Sequence, residues 1–306
     1  MTQPAPITRI SPLAWALLAA LALVWGSSFL SNRAALAGAG VLTVVTFRVA
    51  GGAVALWLWV ALRRLPLPRD PRLLIRFAIM GALNNAIPFS LIVWGQKHID
   101  SGLAAILNAS TAIFGVLVAA AVFSDERLTP PRLLGVAIGF AGVVIAIGPA
   151  ALTGFSLASA GQWAVIGASF SYGFAGAYAR SAIRGLAPEV AAAGMLTGGL
   201  FWLAPLMLTI EGVPSLDYAP SVWAGMIWLA LGCSALAYLI YYRILALAGA
   251  GNLSLVTLLI PPVAILAGWA VYGERLGPNA FAGFAVLALG LAILNRKPRD
   301  AARPSR

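Results

Sequence analysis

One cysteine and one histidine in 306 residues leave this chain little to offer a metal or a disulfide. Cys233 has no partner for an intramolecular bridge, no Cys-x-x-Cys pair exists and His98 stands alone. Structural zinc and haem sites are therefore not expected, nor is any cofactor. Charge is equally sparse, at 9% of the chain, with nine acids against twenty bases. There is no His-Glu-x-x-His motif, no carboxylate cluster and no Ser/His/Asp set, so an enzyme is not expected. No acid falls in the middle of an apolar segment either. A proton-driven carrier usually needs a titrating group inside the membrane, and here only His98, at the end of an apolar segment, could supply one. A carrier built on this chain would be expected to lack intrinsic proton coupling; the alternative, proton-linked efflux of drugs or other metabolites, would rest on His98.

What is abundant is apolar surface. Hydrophobic residues make up 61% of the chain, more than a soluble core of this length could hide, so the bilayer must be the solvent. The pI near 10.8 would suggest nucleic acid in a soluble protein. Here the positive charge sits in short loops, where it reads as topology and contact with anionic membrane lipid, and nucleic acid is not an expected partner. Ten segments are long and apolar enough to span: 13–31, 41–62, 73–95, 102–123, 132–150, 160–179, 189–210, 219–242, 253–272 and 278–295. The first could pass for a signal peptide, with Ala35-Leu36-Ala37 imitating a cleavage site.

The bases divide unevenly between the two sides. With a cytoplasmic N-terminus, one side collects Arg9, Arg63, Arg64, Arg69, Arg72, Arg76, Arg127, Arg132, Arg180, Arg184, Arg243 and the five bases of the C-terminal tail. The other side holds Arg33, Lys97 and Arg275, and Arg48 lies inside a span. The count of 16 against 3 predicts cytoplasmic termini and a multi-pass protein of the bacterial inner membrane.

The second half repeats the first at a shift of 148 residues. Glu126-Arg127-Leu128 meets Glu274-Arg275-Leu276, Pro130 meets Pro278, Gly135 meets Gly283, Gly142 meets Gly290 and Ile145 meets Ile293. Nearly the same shift carries Trp25-Gly26 onto Tyr172-Gly173 and Trp94 onto Tyr242, and the first of these argues that the first span is retained. Two copies, 1–150 and 151–306, would each hold five spans. Five is odd, so the second copy would enter the membrane from the opposite side and place Glu126 and Glu274 on opposite faces.

Polar residues inside spans must find partners, so their positions carry information. Span 3 holds Asn84, Asn85, Pro88 and Phe89, and Pro88 frees the carbonyl of Asn84. Its counterpart, span 8, places Ser234, Tyr238 and Tyr241 on one helical stripe; Tyr241 and Tyr242 fit an interface belt, Tyr238 does not. Span 4 has Asn108, Thr111 and Gly115 on one face, and span 9 has Thr257 and Pro261-Pro262, which predicts a broken helix there. Trp25 and Ser28 in span 1 and Ser169, Tyr172 and Gly173 in span 6 repeat an aromatic–glycine–small pattern. These groups could line a cavity or serve helix packing alone. Arg48, about 10 Å into span 2 at 1.5 Å per residue, could snorkel to the outer interface or bind an anionic group, and snorkelling or a structural role is the expectation. Gly135, Gly139 and Gly142 in span 5 and Gly194 and Gly198 in span 7 form small faces for close helix contact.

At Trp25-Gly26-Ser27-Ser28-Phe29, at Phe47-Arg48 and at the Glu-Arg-Leu-x-Pro segments 126–130 and 274–278, the chain resembles the EamA family of the drug/metabolite transporter superfamily. Within that family it is most similar to exporters of aromatic amino acids. The resemblance implies an all-α membrane protein of ten helices in two inverted five-helix repeats around a central cavity, working by alternating access. It also implies a small-molecule amino acid or metabolite as substrate, and a monomer is the expected unit. The aromatic ring of such a substrate could stack on Trp25, Phe89, Tyr172 and Tyr238. Asn84, Asn85, Asn108 and Ser234 could bond its amino and carboxylate groups with no permanent buried charge.

Overall fold

The computed structural model describes residues 11–124, 129–147, 157–183, 185–253 and 255–294. The repeated Glu126-Arg127-Leu128 segment, Arg9, Arg184 and the basic tail lie outside the described residues. Among the described residues every regular element is helical. In chain order the helices are α1 (Pro12–Leu36), α2 (Val41–Leu62), α3 (Arg72–Gly95), α4 (Ser101–Val122), α5 (Pro130–Ile147), α6 (Leu157–Ala182), α7 (Pro188–Ile210), α8 (Pro220–Gly249), α9 (Val256–Tyr272) and α10 (Pro278–Leu294).

Length and apolarity qualify six of these, α1, α2, α3, α4, α7 and α8, to cross a membrane. Three more, Pro130–Ala146, α9 and α10, are apolar but shorter. α6 has 26 residues but also carries Gln162, four serines and Arg180, which lower its apolarity. Large apolar side chains such as Leu23, Leu58, Phe201, Leu266 and Trp269 stand exposed on the outside, the surface a multi-pass membrane protein turns to lipid.

Local chemistry sets the helix ends. Five helices open on proline (Pro12, Pro130, Pro188, Pro220 and Pro278), whose missing N–H is one that the first turn leaves unbonded anyway. α1 is capped by Ser11, whose Oγ accepts from the Ala14 N–H at 3.2 Å. Gly40 precedes α2 with no side chain to cap it. The Glu211 carboxylate at the end of α7 does so instead, accepting from the Leu42 and Thr43 N–H groups at 2.9 and 2.8 Å. An anion at a helix N-terminus is also favoured by the helix dipole.

Two spans change pitch in the middle. α3 passes through a π-helical segment, Ala82–Ala86, just before Pro88, and α8 through a longer one, Trp228–Leu236. The Ile87 N–H reaches back five residues to the Ala82 carbonyl, so the wider turn accommodates the proline that the α-helical ladder could not. α8 makes the same change without a proline, which its sequence does not announce. α4 is interrupted at Ala109–Ser110, between Ser101–Asn108 and Thr111–Val122. α9 does not break at Pro261-Pro262, contrary to the sequence expectation, but runs helically through both. The helix starts only at Val256, so the two missing donors face carbonyls of its opening turn, which a 3.1 Å bond from the Leu258 N–H to the Leu255 carbonyl tightens. The loss weakens one turn rather than splitting a helix.

Helix packing follows the glycines. α3 lies on α7, where a methyl group at Gly198 would overlap the Phe77 carbonyl, and α5 lies on α10 through Gly142 and the Leu287 backbone. α1 crosses α9 where Gly26 meets Ile260 and Val263, and α6 crosses α4 where Gly173 meets Phe114. The glycine faces expected from the sequence are thus the contact faces, as close packing between membrane helices requires.

Candidate functional site

The π segment of α3 and the helical turn of α8 just beyond its own π segment carry polar side chains that are joined. Asn84 Nδ2 donates to the Tyr238 hydroxyl at 3.1 Å, and that hydroxyl donates to Asn85 Oδ1 at 3.5 Å. Asn85 is fully buried, and its Nδ2 donates to the Met195 carbonyl at 3.1 Å. The Leu83 carbonyl, also within the π segment, accepts from Ser171 Oγ of α6 at 2.7 Å. Pitch changes that free backbone groups are satisfied here by side chains of neighbouring helices, as they must be in a membrane.

Aromatic rings extend from this cluster. Tyr238 stacks on Tyr242 at 6.5 Å, Tyr242 meets Tyr241 edge-on at 5.3 Å, and Tyr241 tilts against Trp25 at 5.8 Å. Trp25 Nε1 donates to the Cys233 carbonyl at 3.2 Å. Tyr241 and Tyr242 therefore belong to a continuous ring series with Trp25 and Tyr238, a role that an interface belt does not describe.

Arg48 departs most from the sequence expectation. It does not snorkel: it is 6% exposed, its guanidinium carbon lies 3.7 Å over the Phe89 ring, and its Nε donates to Ser234 Oγ at 3.3 Å. Ser234 in turn donates to the Leu229 carbonyl at 3.0 Å, inside the second π segment. Among the described residues Arg48 makes no ion pair. A buried, unpaired cation costs several kcal/mol, and a desolvated cation–π contact returns only about 2. The expectation of a site free of permanent buried charge is overturned.

Seven of the eight expected site residues thus gather around Arg48 and the π segments: Trp25, Asn84, Asn85, Phe89, Tyr172, Ser234 and Tyr238. Asn108 makes no bond with them. Its carbonyl accepts from Thr111 Oγ1 at 2.7 Å and Ser169 Oγ at 3.3 Å, while its side-chain Oδ1 is buried with no partner. Sequence reasoning left Arg48 off the site; its place one helical turn before Gly51-Gly52, which let α8 approach, was the available signal.

A second polar cluster gathers where the ends of α1 and α9 meet the start of α4. Arg33, at the end of α1, donates to Glu274 beyond α9, lies 3.8 Å from Asp100 before α4, and covers the Tyr272 ring at 4.6 Å. Glu274 also accepts from the Gly102 N–H at 3.4 Å. Beneath it, Asn32 Nδ2 donates to Gln96 Oε1 at 2.8 Å, and Gln96 Nε2 donates to the Phe29 carbonyl at 2.9 Å. Burial and the nearby Glu274 carboxylate push the Asp100 carboxyl above its ordinary range, and Arg33 opposes them. His98 packs edge-on against Trp94 at 4.8 Å, outside either cluster. No group of three metal-ligating side chains occurs among the described residues.

A helical bundle clad in apolar side chains, with a buried polar and aromatic cluster between its helices and a charged cluster at one end, defines a multi-pass membrane transporter. The chain belongs to the EamA-like transporter family, which it matches twice, over residues 11–148 and 159–296. Among its relatives is a "Probable terminal-alkyne amino-acid exporter" of Streptantibioticus cattleyicolor, 29% identical over 97% of this chain and 99% of that protein. The uncharacterized transporter YoaV of Bacillus subtilis is 22% identical over 88% of this chain and 92% of its own. An uncharacterized transporter of Archaeoglobus fulgidus is 24% identical over 92% and 99%. One crystal structure shares the fold with a TM-score of 0.63, at 20% identity, over 92% of this chain and 97% of that one.

Proposed function

We propose that this chain is a secondary transporter that exports aromatic or other amphipathic amino acids and related metabolites across the inner membrane, without intrinsic proton coupling. Its frame is ten spans in two inverted five-helix repeats, 1–150 and 151–306, around a central cavity, with both termini cytoplasmic. It works as a monomer by alternating access, and it is not an enzyme.

Several observations support the inverted frame. The two family matches begin 148 residues apart (159 − 11), the shift seen in the sequence repeat. Helix contacts recur under the same shift: α1 on α9 answers α6 on α4, and α3 on α7 answers α8 on α2. The π segments begin 146 residues apart (228 − 82) in corresponding helices.

The observation that carries the substrate reading is the joined Asn84–Tyr238–Asn85 cluster, built from both halves and continued by the rings of Tyr242, Tyr241 and Trp25. Rings offer a stacking wall to an apolar side chain, and amides offer both donors and acceptors to a zwitterion. The relative named for amino-acid export, similar along nearly its whole length, favours the same chemistry. The test is flux in proteoliposomes with a panel of amino acids, with and without a pH gradient. Phenylalanine, tyrosine or tryptophan should move, and Asn84→Ala should cut their flux about tenfold while the protein stays monodisperse. A wild-type protein that moves none of the panel, or an Asn84→Ala variant that transports normally, refutes the reading.

A further inference from the structure

We infer that Arg48 is an anchor for a substrate carboxylate, which makes this transporter selective for acids and zwitterions over cationic amines. The inference rests on the proposed transport of amino acids and adds the group by which the substrate is held.

Arg48 is more than nine-tenths buried in the middle of the bundle, and no carboxylate of the described residues pairs with it. Its surroundings hold it in place without neutralising it. Phe89 covers one face of the guanidinium and Ser234 takes the Nε–H, so the head group is fixed in plane and in rotation. The two terminal nitrogens make no hydrogen bond among the described residues. A planar fork with its terminal N–H groups left unbonded suits bidentate binding of a carboxylate, which no neutral amide matches. Tyr238 stands one helical turn beyond Ser234, the residue that takes the Arg48 Nε–H, and the amides of Asn84 and Asn85 are bonded to Tyr238. An α-amino acid set against Arg48 by its carboxylate would bring its amino group toward those acceptors and its side chain toward the rings. A cation with no acid group would instead meet a like charge with nothing to offset it.

Packing alone does not account for the residue. Burying a cation with a single side-chain hydrogen bond and no counter-ion destabilises a fold, whereas leucine or methionine would fill the same space. Position 196, which the 148-residue shift pairs with Arg48, is Leu196 and fully buried.

The test compares three probes that share one ring: L-phenylalanine, 3-phenylpropionate, which lacks the amine, and phenethylamine, which lacks the carboxylate. Ligand-induced thermal stabilisation of the full-length protein in detergent reads binding, and proteoliposome flux reads transport. The wild type should be stabilised by phenylalanine and phenylpropionate and not by phenethylamine. Arg48→Gln should weaken binding of both acids about ten- to a hundredfold, the loss of one or two charge-assisted hydrogen bonds. Arg48→Lys, which keeps the charge but not the fork, should recover part of it. Equal response of the wild type to all three probes overturns the inference, and so does an Arg48→Gln variant that binds the acids normally. Should Arg48→Gln fail to fold, the acid-against-amine comparison in the wild type and in Arg48→Lys still decides. Acid-selective stabilisation in a protein that moves no amino acid would uphold the anchor and refute amino-acid export, so the two failures are distinct.

Discussion

Replacing Glu274 with glutamine should loosen the end of the bundle that it ties to Arg33 and to the start of α4. The side chain of Glu274 is 3% exposed and accepts from Arg33 and from the Gly102 N–H, and it joins α1, the start of α4 and the segment after α9. Glutamine keeps the shape and removes the charge, so Arg33 retains only Asp100 at 3.8 Å and the Tyr272 ring. Breaking a buried pair costs about 3–5 kcal/mol and an exposed one about 0–1. Arg33 is 40% exposed and its partner nearly sealed, which places this pair at about 1–3 kcal/mol between those limits. At 1.4 kcal/mol per decade that is a roughly 5- to 150-fold shift toward the loosened arrangement. Ser101, 1% exposed and adjacent to Gly102, is the reporter. Maleimide labelling of Ser101→Cys should quicken at least fivefold when Glu274→Gln is added, with buried Cys233 as the background thiol. The charge swap Arg33→Glu/Glu274→Arg should restore slow labelling. A labelling rate unchanged by Glu274→Gln, or a swap no better than either single change, would refute the tie.

Three further outcomes are expected. Gly198→Ala should lower the melting temperature in detergent by several degrees, since its methyl group meets the Phe77 carbonyl and α3 must part from α7, a strain of about 1–3 kcal/mol; a melt within one degree of wild type counts against the packing. Asp100→Asn should not destabilise the protein at neutral pH. The folded-state pKa of Asp100 is raised above its ordinary value, so ionised Asp100 opposes the fold above that pKa and the opposition fades as pH falls through it toward 3.8; a variant that melts lower than wild type at pH 7 contradicts the sign. His98→Ala should leave amino-acid flux unchanged with and without a pH gradient, because His98 packs on Trp94 away from the Arg48 cluster; loss of a gradient-driven flux in this variant reverses the view on coupling.

The sequence was most readable where one physical constraint acts alone. Each predicted segment coincides with a helix because a membrane segment must satisfy its backbone internally, and prolines at five helix starts sharpen the boundaries. Pitch was harder to read. Pro88 announces the irregularity in α3, but the π segment of α8, which lies against α1 and α2, has no proline to announce it. Pro261-Pro262 misled in the other direction, because a proline's effect depends on how far it lies from the start of its helix. Arg48 was misjudged for a related reason: a span with one arginine about 10 Å from its end reads as a snorkelling case, and only the tertiary position of Phe89 and Ser234 shows the side chain held inside.

The repeat relation also sets the helix frame apart from the residues around Arg48. Arg33 over the Tyr272 ring at 4.6 Å has a counterpart in Arg180 over the Phe123 ring at 4.4 Å, displaced by 147 and 149 residues. Gly26 and Gly173 sit at matching crossings. Around Arg48 the correspondence is only partial: Trp25 answers Tyr172, but the shift pairs Arg48 with Leu196, Asn84 with Gly232, Phe89 with Ala237, Ser234 with Ala86 and Tyr238 with Ser90. A frame that is nearly its own image under exchange of halves can adopt two arrangements of similar energy.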